Sequence, residues 1–364
     1  MTVWDVMVVG AGPAGCAAAY DLAAAGCSVL LLDKNEFPRL KACAGGLTVK
    51  AVKALRYSID PLVRAVVRRV QLQVGSISSS LNSREPICVM TVREQLDAYC
   101  LAKTIAAGAH FEKISAIRQV TRDETGVQLT TAGQSWSARF MIGADGASGQ
   151  IRRLCSEGSR SSQGFALEVQ TSMPSQDIDL TFDFSFAGGY GWIFPKADHL
   201  NVGIYSPSSP ATVTRNALLR YVRERVGVEP GNHVTGQYLG TGAGGAVCDN
   251  LQDRVLLVGD AGGFVDALTG EGIYGALLSG QAAAAAILDE LRGHGPAAQV
   301  FVERVRDYRQ TLRFSTRAAS AFYANPERGF RAMRLPFVRR TMVRTYTHGL
   351  NINSPAMRIA LSRC

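Results

Sequence analysis

The sequence predicts an α/β protein in which a parallel-sheet domain is interleaved with a β-rich second domain and is followed by a helical, basic tail. Two apolar runs in the first 33 residues flank a glycine-rich turn and an alanine-rich segment, the pattern of a strand–helix–strand unit. A further apolar run at residues 254–258 also ends in glycines, whereas residues 181–186 alternate as one-sided strands do. The chain has 364 residues, of which 47% are hydrophobic and 19% charged, so it can fill two domains.

The first strand–helix–strand unit has the spacing of a nucleotide-binding turn. Residues 4–9 (W-D-V-M-V-V) are followed by G-A-G-P-A-G at residues 10–15, and a second strand at 27–32 ends in Asp33. The glycines permit a tight turn, close approach of the backbone to a pyrophosphate, and close packing of the helix, whose N-terminus attracts phosphate. Asp33 can accept hydrogen bonds from a ribose diol. The residues therefore predict a Rossmann-type dinucleotide-binding domain.

Composition argues against membrane-spanning, secreted and zinc-binding proteins. No apolar run reaches the roughly 18 residues of a membrane span, and Met1 leads into the first strand without the basic region of a signal peptide. The eight cysteines include no C-x-x-C pair, so we expect no metal site. We expect these cysteines to be reduced thiols, which predicts a cytoplasmic protein.

The positive charge is concentrated in the C-terminal segment. The net charge is +9, and residues 301–364 contain 13 Arg, no Lys and three acidic residues, which is +10 for that segment. Prolines at positions 326, 336 and 355 divide the predicted helices. Three interpretations stay open: peripheral contact with an anionic lipid surface at the inner face of a membrane, binding of a diphosphate or phospholipid head group, or a helical cap with solvated arginines. Nucleic-acid binding is disfavoured, because no recognised module is present.

A second buried strand places a carboxylate where ligands bind. Residues 254–258 (R-V-L-L-V) end in G-D-A-G-G at 259–263, and a small-residue helix follows, to about residue 292. In open α/β sheets, ligands bind at the carboxyl ends of the strands, which is where this motif places Asp260.

Three motifs together resemble FAD-dependent oxidoreductases related to para-hydroxybenzoate hydroxylase. They are the glycine motif at 10–15, G-A-D-G-A-S at 143–148 and G-D-A-G-G-F at 259–264. By this resemblance the bound cofactor is FAD. Its expected contacts are Gly10, Gly12, Pro13, Ala14, Gly15, Asp33, Lys34, Ala44, Gly45, Arg93, Asp145, Gly259, Asp260, Gly270, Gly272 and Ile273. For Arg93 the alternative is a solvated arginine on a helix face. No second strand–glycine–helix unit is present for a nicotinamide nucleotide, so either NAD(P)H docks transiently or a ferredoxin-type reductant supplies electrons.

Three further motifs resemble the geranylgeranyl reductase family. They are P-R-L-K-A-C-A-G-G-L at 38–47, Y-G-W-I-F-P at 190–195 and L-T-G-E-G-I at 268–273. Ala44 occupies a position that is glycine in the family loop, and the chain ends soon after the shared core.

The family resemblance implies a reaction and roles for six residues. The reaction is reduction of an isolated carbon–carbon double bond by flavin hydride, with a proton delivered to the other carbon. Cys43 would supply the proton or gate the site, and the alternating Tyr190, Trp192 and Phe194 would form an aromatic wall. Gly46, Phe194 and Pro195 would contact an apolar small-molecule or lipid substrate. The alternatives are that Cys43 is a packing residue and that the aromatic residues are an ordinary core stripe.

The expected organisation has three parts. Residues 1–75, 90–160 and 249–295 would form a discontinuous FAD-binding domain, residues 76–89 and 161–248 a β-rich substrate-binding domain, and residues 296–364 the helical basic segment. Two other functions stay open: a flavin monooxygenase or halogenase acting on an aromatic substrate, and a non-catalytic flavin-binding partner protein. Oxygen consumption would separate the first of these from a reductase.

Overall fold

The computed structural model describes residues 2–155, 163–173, 178–208, 210–229, 231, 233–241 and 254–348. The strands are β1 (Val3–Val9), β2 (Val29–Asp33), β3 (Gly46–Thr48), β4 (Ala65–Val67), β5 (Arg69–Val74), β6 (Ile77–Asn82), β7 (Cys88–Met90), β8 (His110–Lys113), β9 (Gln119–Arg122), β10 (Val127–Thr130), β11 (Ser135–Gly143), β12 (Gln163–Thr171), β13 (Leu180–Asp183), β14 (Tyr190–Pro195), β15 (Leu200–Ser206), β16 (Val234–Gly240) and β17 (Val255–Leu257). The helices are α1 (Pro13–Ala24), α2 (Val49–Ala54), α3 (Arg93–Ala106), α4 (Ile151–Cys155), α5 (Arg215–Val226), α6 (Ile273–Leu291), α7 (Ala297–Ala324), α8 (Pro326–Met333) and α9 (Pro336–His348).

The first sheet carries the nucleotide-binding turn. Its strand order is β8-β2-β1-β11-β10-β9, with β17 also paired to β11. The pairs β1–β2, β1–β11, β2–β8 and β11–β17 are parallel, so these strands end at one edge of the sheet. All of β2 and the last four residues of β1 are buried, as expected for strands covered on both faces. The glycine motif follows β1 and Asp260 follows β17, the two parallel strands that flank β11.

Small residues let α1 and α6 pack closely beside this sheet. A Cβ atom at Gly280 of α6 would lie 2.3 Å from the carbonyl oxygen of Ala14 in α1, so only glycine permits this approach. The close packing brings the N-termini of both helices towards the same edge of the sheet.

The second sheet is mostly antiparallel. Its order is β16-β12-β15-β14-β13-β5-β6, and only β13–β5 is a parallel pair. A third, small sheet has the order β3-β7-β4. The predicted domain limit at residue 75 is wrong for β5, which pairs with β13 and β6 in the second sheet. The alternating R-V-Q-L-Q-V sequence explains this, because every second side chain of β5 is buried, as in a strand with one face on a core.

The C-terminal segment is helical in separate pieces, as the sequence predicts. Pro326 begins α8 and Pro336 begins α9, positions where a missing backbone N–H costs little. The side chain of Asn325 caps α8 by accepting from the backbone N–H of Arg328. Pro355 and the rest of 349–364 lie outside the described residues. Within the described part of the chain, each helix is too short or too polar to cross a membrane.

Candidate active site

One large cavity joins the two main sheets. Its volume is about 1020 Å³, and it extends from the glycine motif, past the loop that contains Cys43, to the C-terminal helices. It brings together most of the predicted site residues: Gly10, Gly12, Pro13, Ala14, Asp33, Lys34, Cys43, Ala44, Gly45, Gly46, Arg93, Asp145, Tyr190, Trp192, Phe194, Gly259, Asp260, Gly270, Gly272 and Ile273. Gly15 and Pro195 are not among the residues that line it.

The glycines of the first motif have distinct surroundings. At Gly12 an added Cβ atom would meet only the Arg39 guanidinium, at 3.8 Å, so this position faces open space in the cavity. At Gly15 an added Cβ atom would lie 1.8 Å from the carbonyl oxygen of Gly10, so this glycine serves packing. Asp33 is buried and its Oδ2 accepts from the backbone N–H of Ala11 at 2.8 Å. The turn thus has free space at Gly12 and tight backbone packing at Gly15.

Asp260 lies in a buried polar region of the cavity. The backbone N–H of Gly240 donates to its Oδ2 at 3.2 Å. Burial raises the pKa of the Asp260 carboxyl, and the nearby Lys41 ammonium opposes this shift. Burial in turn lowers the pKa of Lys41 to about 8. Lys41, which donates a hydrogen bond to Gln237, is a residue for which the sequence suggested no separate role.

Arg93 is buried beneath the cysteine loop, which is the segment 34–45 between β2 and β3 that contains Cys43. Its guanidinium forms two hydrogen bonds to Asp97, one turn along α3, at 2.8 and 2.9 Å, and Arg39 contacts the same carboxylate at 3.1 Å. Burial alone would lower the pKa of Arg93, but Asp97 and the thiol of Cys43 raise it well above its ordinary value. The alternative of a solvated arginine is wrong, because only 9% of Arg93 is exposed.

The Cys43 loop is held by groups from several elements. The Cys43 sulfur accepts from the Gly45 backbone N–H at 3.3 Å, and the Cys43 backbone N–H donates to Glu168 Oε1 of β12 at 3.0 Å. Lys196 Nζ donates to the carbonyl oxygens of Ala44 and, at 2.7 Å, of Thr91. Sequence reasoning missed Glu168 and Lys196. In the sequence, Glu168 is notable only as a charged residue within an apolar strand, and Lys196 only as the lysine that follows Y-G-W-I-F-P.

The aromatic residues of β14 lie on one face of the strand. Tyr190, Trp192 and Phe194 are buried and line the cavity. The Tyr190 hydroxyl donates to the Thr269 carbonyl oxygen at 2.7 Å, and Trp192 Nε1 donates to Asn201 Oδ1 at 2.7 Å. Both polar groups are therefore satisfied, and the rings present apolar surface to the cavity.

The end of the cavity that is distant from the glycine motif is an apolar chamber. Its walls come from the second sheet, the C-terminal helices and two residues next to strands, Ile87 before β7 and Phe184 after β13. The residues of the sheet and the helices are Val70, Leu72, Leu81, Leu180, Phe182, Phe322, Met333, Val338, Met342 and Val343. The C-terminal helices therefore cover the chamber. A helical cap is one of the three interpretations of the C-terminal segment that the sequence leaves open, together with the two lipid-binding alternatives.

Comparison with known proteins identifies the family. The family model described as an FAD binding domain matches residues 3–300. A digeranylgeranylglycerophospholipid reductase of Methanopyrus kandleri is 30% identical over 84% of this chain and 85% of its own length. An uncharacterized protein of Methanosarcina barkeri is 32% identical over 80% of this chain and 76% of its own.

The chain belongs to the geranylgeranyl reductase family of FAD-dependent oxidoreductases. The predicted family, the enzyme class and FAD as cofactor are thereby confirmed.

Solved structures show that this member of the geranylgeranyl reductase family has the expected fold. A geranylgeranyl bacteriochlorophyll reductase-like protein from Thermoplasma acidophilum matches 100% of both chains, with a TM-score of 0.81 and 19% identity. A flavin-dependent brominase matches 99% of this chain and 98% of its own, with a TM-score of 0.77 and 19% identity. At these identities the likeness concerns the fold alone, and it confirms the predicted α/β class.

The cavity of this reductase-family chain also fits FAD on its own geometry. Gly12 leaves room for a phosphate beside the N-terminus of α1. Arg39 and Asp145 line the cavity, and within the described residues the buried atoms Arg39 Nε and Asp145 Oδ1 have no hydrogen-bond partner. A bound nucleotide could satisfy such groups. Gly10, Gly12, Asp33 and Asp260, which the sequence predicts as FAD contacts, all line this cavity.

Proposed function

We propose that this chain reduces isolated carbon–carbon double bonds in an isoprenoid or a similarly apolar chain. The observation that carries this proposal is the apolar chamber, which shares one cavity with the Cys43 loop and the glycine motifs. The M. kandleri relative, whose name describes reduction of a prenylated phospholipid, supports the same substrate class.

The proposed mechanism depends mainly on positioning, because an isolated alkene has no carbonyl group to polarise. Reduced FAD, when bound, supplies the hydride. Cys43 holds the proton for the other alkene carbon on its sulfur, and the thiolate that remains lies beside the Arg93 guanidinium. Tyr190 and Trp192 orient the apolar chain and exclude water from this end of the cavity.

We infer that the substrate carries an anionic head group. A second cavity, of about 420 Å³, is lined by Leu81, Asn82, Arg339, Arg340, Val343 and Arg344, so three of its six lining residues are arginines and none is acidic. Leu81 and Val343 also line the apolar chamber. A diphosphate or phosphodiester held by the arginines would thus have its hydrocarbon chain beside the chamber. The exposed Arg340 and Arg344 also support peripheral contact with an anionic membrane surface.

The two candidate electron donors follow from the sequence alone. Because the chain has one strand–glycine–helix nucleotide unit, NAD(P)H would dock only transiently; a ferredoxin-type reductant is the alternative. Mixing the oxidised enzyme anaerobically with each donor and following the flavin absorbance would distinguish them.

The proposed function is tested without oxygen. The FAD-loaded protein is reduced with dithionite, freed of excess reductant, and mixed with geranylgeranyl diphosphate or a prenylated lipid extract. We expect the oxidised flavin bands to return and the product mass to rise in steps of two hydrogens. If the flavin stays reduced until air is admitted and a substrate then gains oxygen or halogen, the monooxygenase or halogenase alternative replaces the proposal. No turnover with any donor, together with tight binding to a protein partner, would favour the non-catalytic alternative.

A further inference from the structure

Two buried charged residues of the second sheet hold the loop that contains Cys43. Lys196, directly after β14, is 2% exposed, and its Nζ donates to the carbonyl oxygens of Ala44 and Thr91. Glu168, in the middle of β12, is 6% exposed, and its Oε1 accepts from the Cys43 backbone N–H at 3.0 Å. Both side chains extend from the second sheet and make hydrogen bonds to the cysteine loop or to a residue beside it. They therefore fix the position of the loop relative to the aromatic wall.

The same two residues place charged groups beside Cys43, since Lys196 interacts with its thiol and Glu168 accepts from its backbone N–H. Lys196 and Arg93 both interact electrostatically with Cys43, and Tyr190 faces it from β14. Burial lowers the pKa of Lys196 to about 8, while Cys43, Glu168 and Cys88 oppose this shift. Burial raises the pKa of Glu168, against the hydrogen bond from the Cys43 amide. Buried charges are costly unless they are paired, so each of these groups depends on the others.

We propose that Lys196 and Glu168 are positioning residues that hold the Cys43 sulfur at the reacting end of the cavity and act on its thiolate in opposite directions. The positive charge of Lys196 favours the thiolate, as that of Arg93 does, and the carboxylate of Glu168 disfavours it. This inference rests on the proposed function, in which Cys43 gives its proton to an alkene carbon. When the proton leaves, the S–H bond breaks, its electron pair stays on sulfur, and solvent later returns a proton to the thiolate.

The test measures the pH dependence of Cys43 alkylation in the FAD-loaded protein, with iodoacetamide and peptide-resolved mass spectrometry. We compare Lys196→Met, Glu168→Gln, the conservative Lys196→Arg and the exposed control Lys53→Met. For Lys196→Met the pH of half-maximal alkylation rate should rise by about half a unit to one unit, and for Glu168→Gln it should fall by a similar amount. Lys53→Met should match the parent protein, and Lys196→Arg should stay closer to it than Lys196→Met does.

The sign of the two shifts decides the proposal. If the residues merely brace the loop, both substitutions will loosen it and move the profile in the same direction, or leave it unmoved; either result overturns the inference. Should Lys196→Met fail to bind FAD, Glu168→Gln still decides, because an unchanged or raised midpoint contradicts the proposal. The assay needs no isoprenoid, so the predicted opposite shifts in a protein that reduces no alkene would leave this inference standing and reject only the proposed function.

Discussion

Arg93 illustrates how a residue acquires its role from its neighbours. Nothing in V-R-E-Q-L-D distinguishes it from an arginine on an exposed helix face. In the fold it is buried, and Asp97, four residues later on α3, pairs with it through two hydrogen bonds. Its remaining surface meets the cysteine loop. A buried cation beside a thiol favours thiolate chemistry, which is the basis for the role proposed for Cys43.

Replacing Cys43 should abolish most alkene reduction while leaving the flavin in place. Cys43→Ala removes the proposed proton donor, and general acid catalysis typically contributes about 10²–10⁴-fold to a rate. We expect at least about a 100-fold loss of saturated product under anaerobic single-turnover conditions. The control Cys27→Ala changes a half-buried cysteine that does not line the cavity. If Cys43→Ala retains half of the parent rate with a normal flavin spectrum, Cys43 is a packing residue.

At the scale of an element, two glycines of the turn between β1 and α1 have different structural roles. Gly12 faces the cavity and has open space where a side chain would begin, whereas Gly15 lies against the backbone of Gly10. Both fit the pattern of a nucleotide-binding turn. In the structure, Gly12 leaves space for a ligand, whereas Gly15 allows the helix to pack closely against the turn.

Alanine substitutions in this turn should therefore have different effects. Gly12→Ala should leave the melting temperature of the FAD-free protein nearly unchanged and weaken FAD binding by about tenfold or more, because a methyl group occupies phosphate space. Gly15→Ala should lower that melting temperature, since its Cβ atom would lie 1.8 Å from a carbonyl oxygen. Thermal denaturation without FAD and fluorescence titration with FAD give the two quantities. Equal effects of both substitutions on stability would contradict this division.

At the scale of the whole molecule, the active site exists only because distant segments meet. The glycine motif and Asp260 come from the first sheet, the aromatic wall from the second, and the cover of the chamber from α7, α8 and α9. The C-terminal helices bury Phe322 and Phe330 inward and leave arginines such as Arg328, Arg331 and Arg340 exposed. One segment thus closes the apolar chamber and carries the basic surface.

The basic surface should bind anionic vesicles through α9. The double substitution Arg340→Gln and Arg344→Gln removes two charges beside the smaller cavity, at about 1 kcal/mol each near an anionic surface. We expect binding to phosphatidylglycerol vesicles in a sedimentation assay to weaken by about tenfold or more at low salt. The charge-matched control is Arg118→Gln with Arg220→Gln, two exposed arginines that lie directly before β9 and on α5. Equal weakening by both pairs would show that net charge, and not this surface, governs binding.

Local motifs were sufficient to predict the family, the cofactor and the first strand–helix–strand unit. Each of these rests on contiguous residues whose spacing follows from backbone geometry, as in the turn from Gly10 to Gly15. The tertiary structure was needed to place β5 in the second sheet, to bury Arg93, and to bring Glu168 and Lys196 to the cysteine loop. Glu168 is 125 residues from Cys43, and Lys196 is 152 residues from Ala44. Contacts across such separations depend on how sheets and helices pack, which no local pattern encodes.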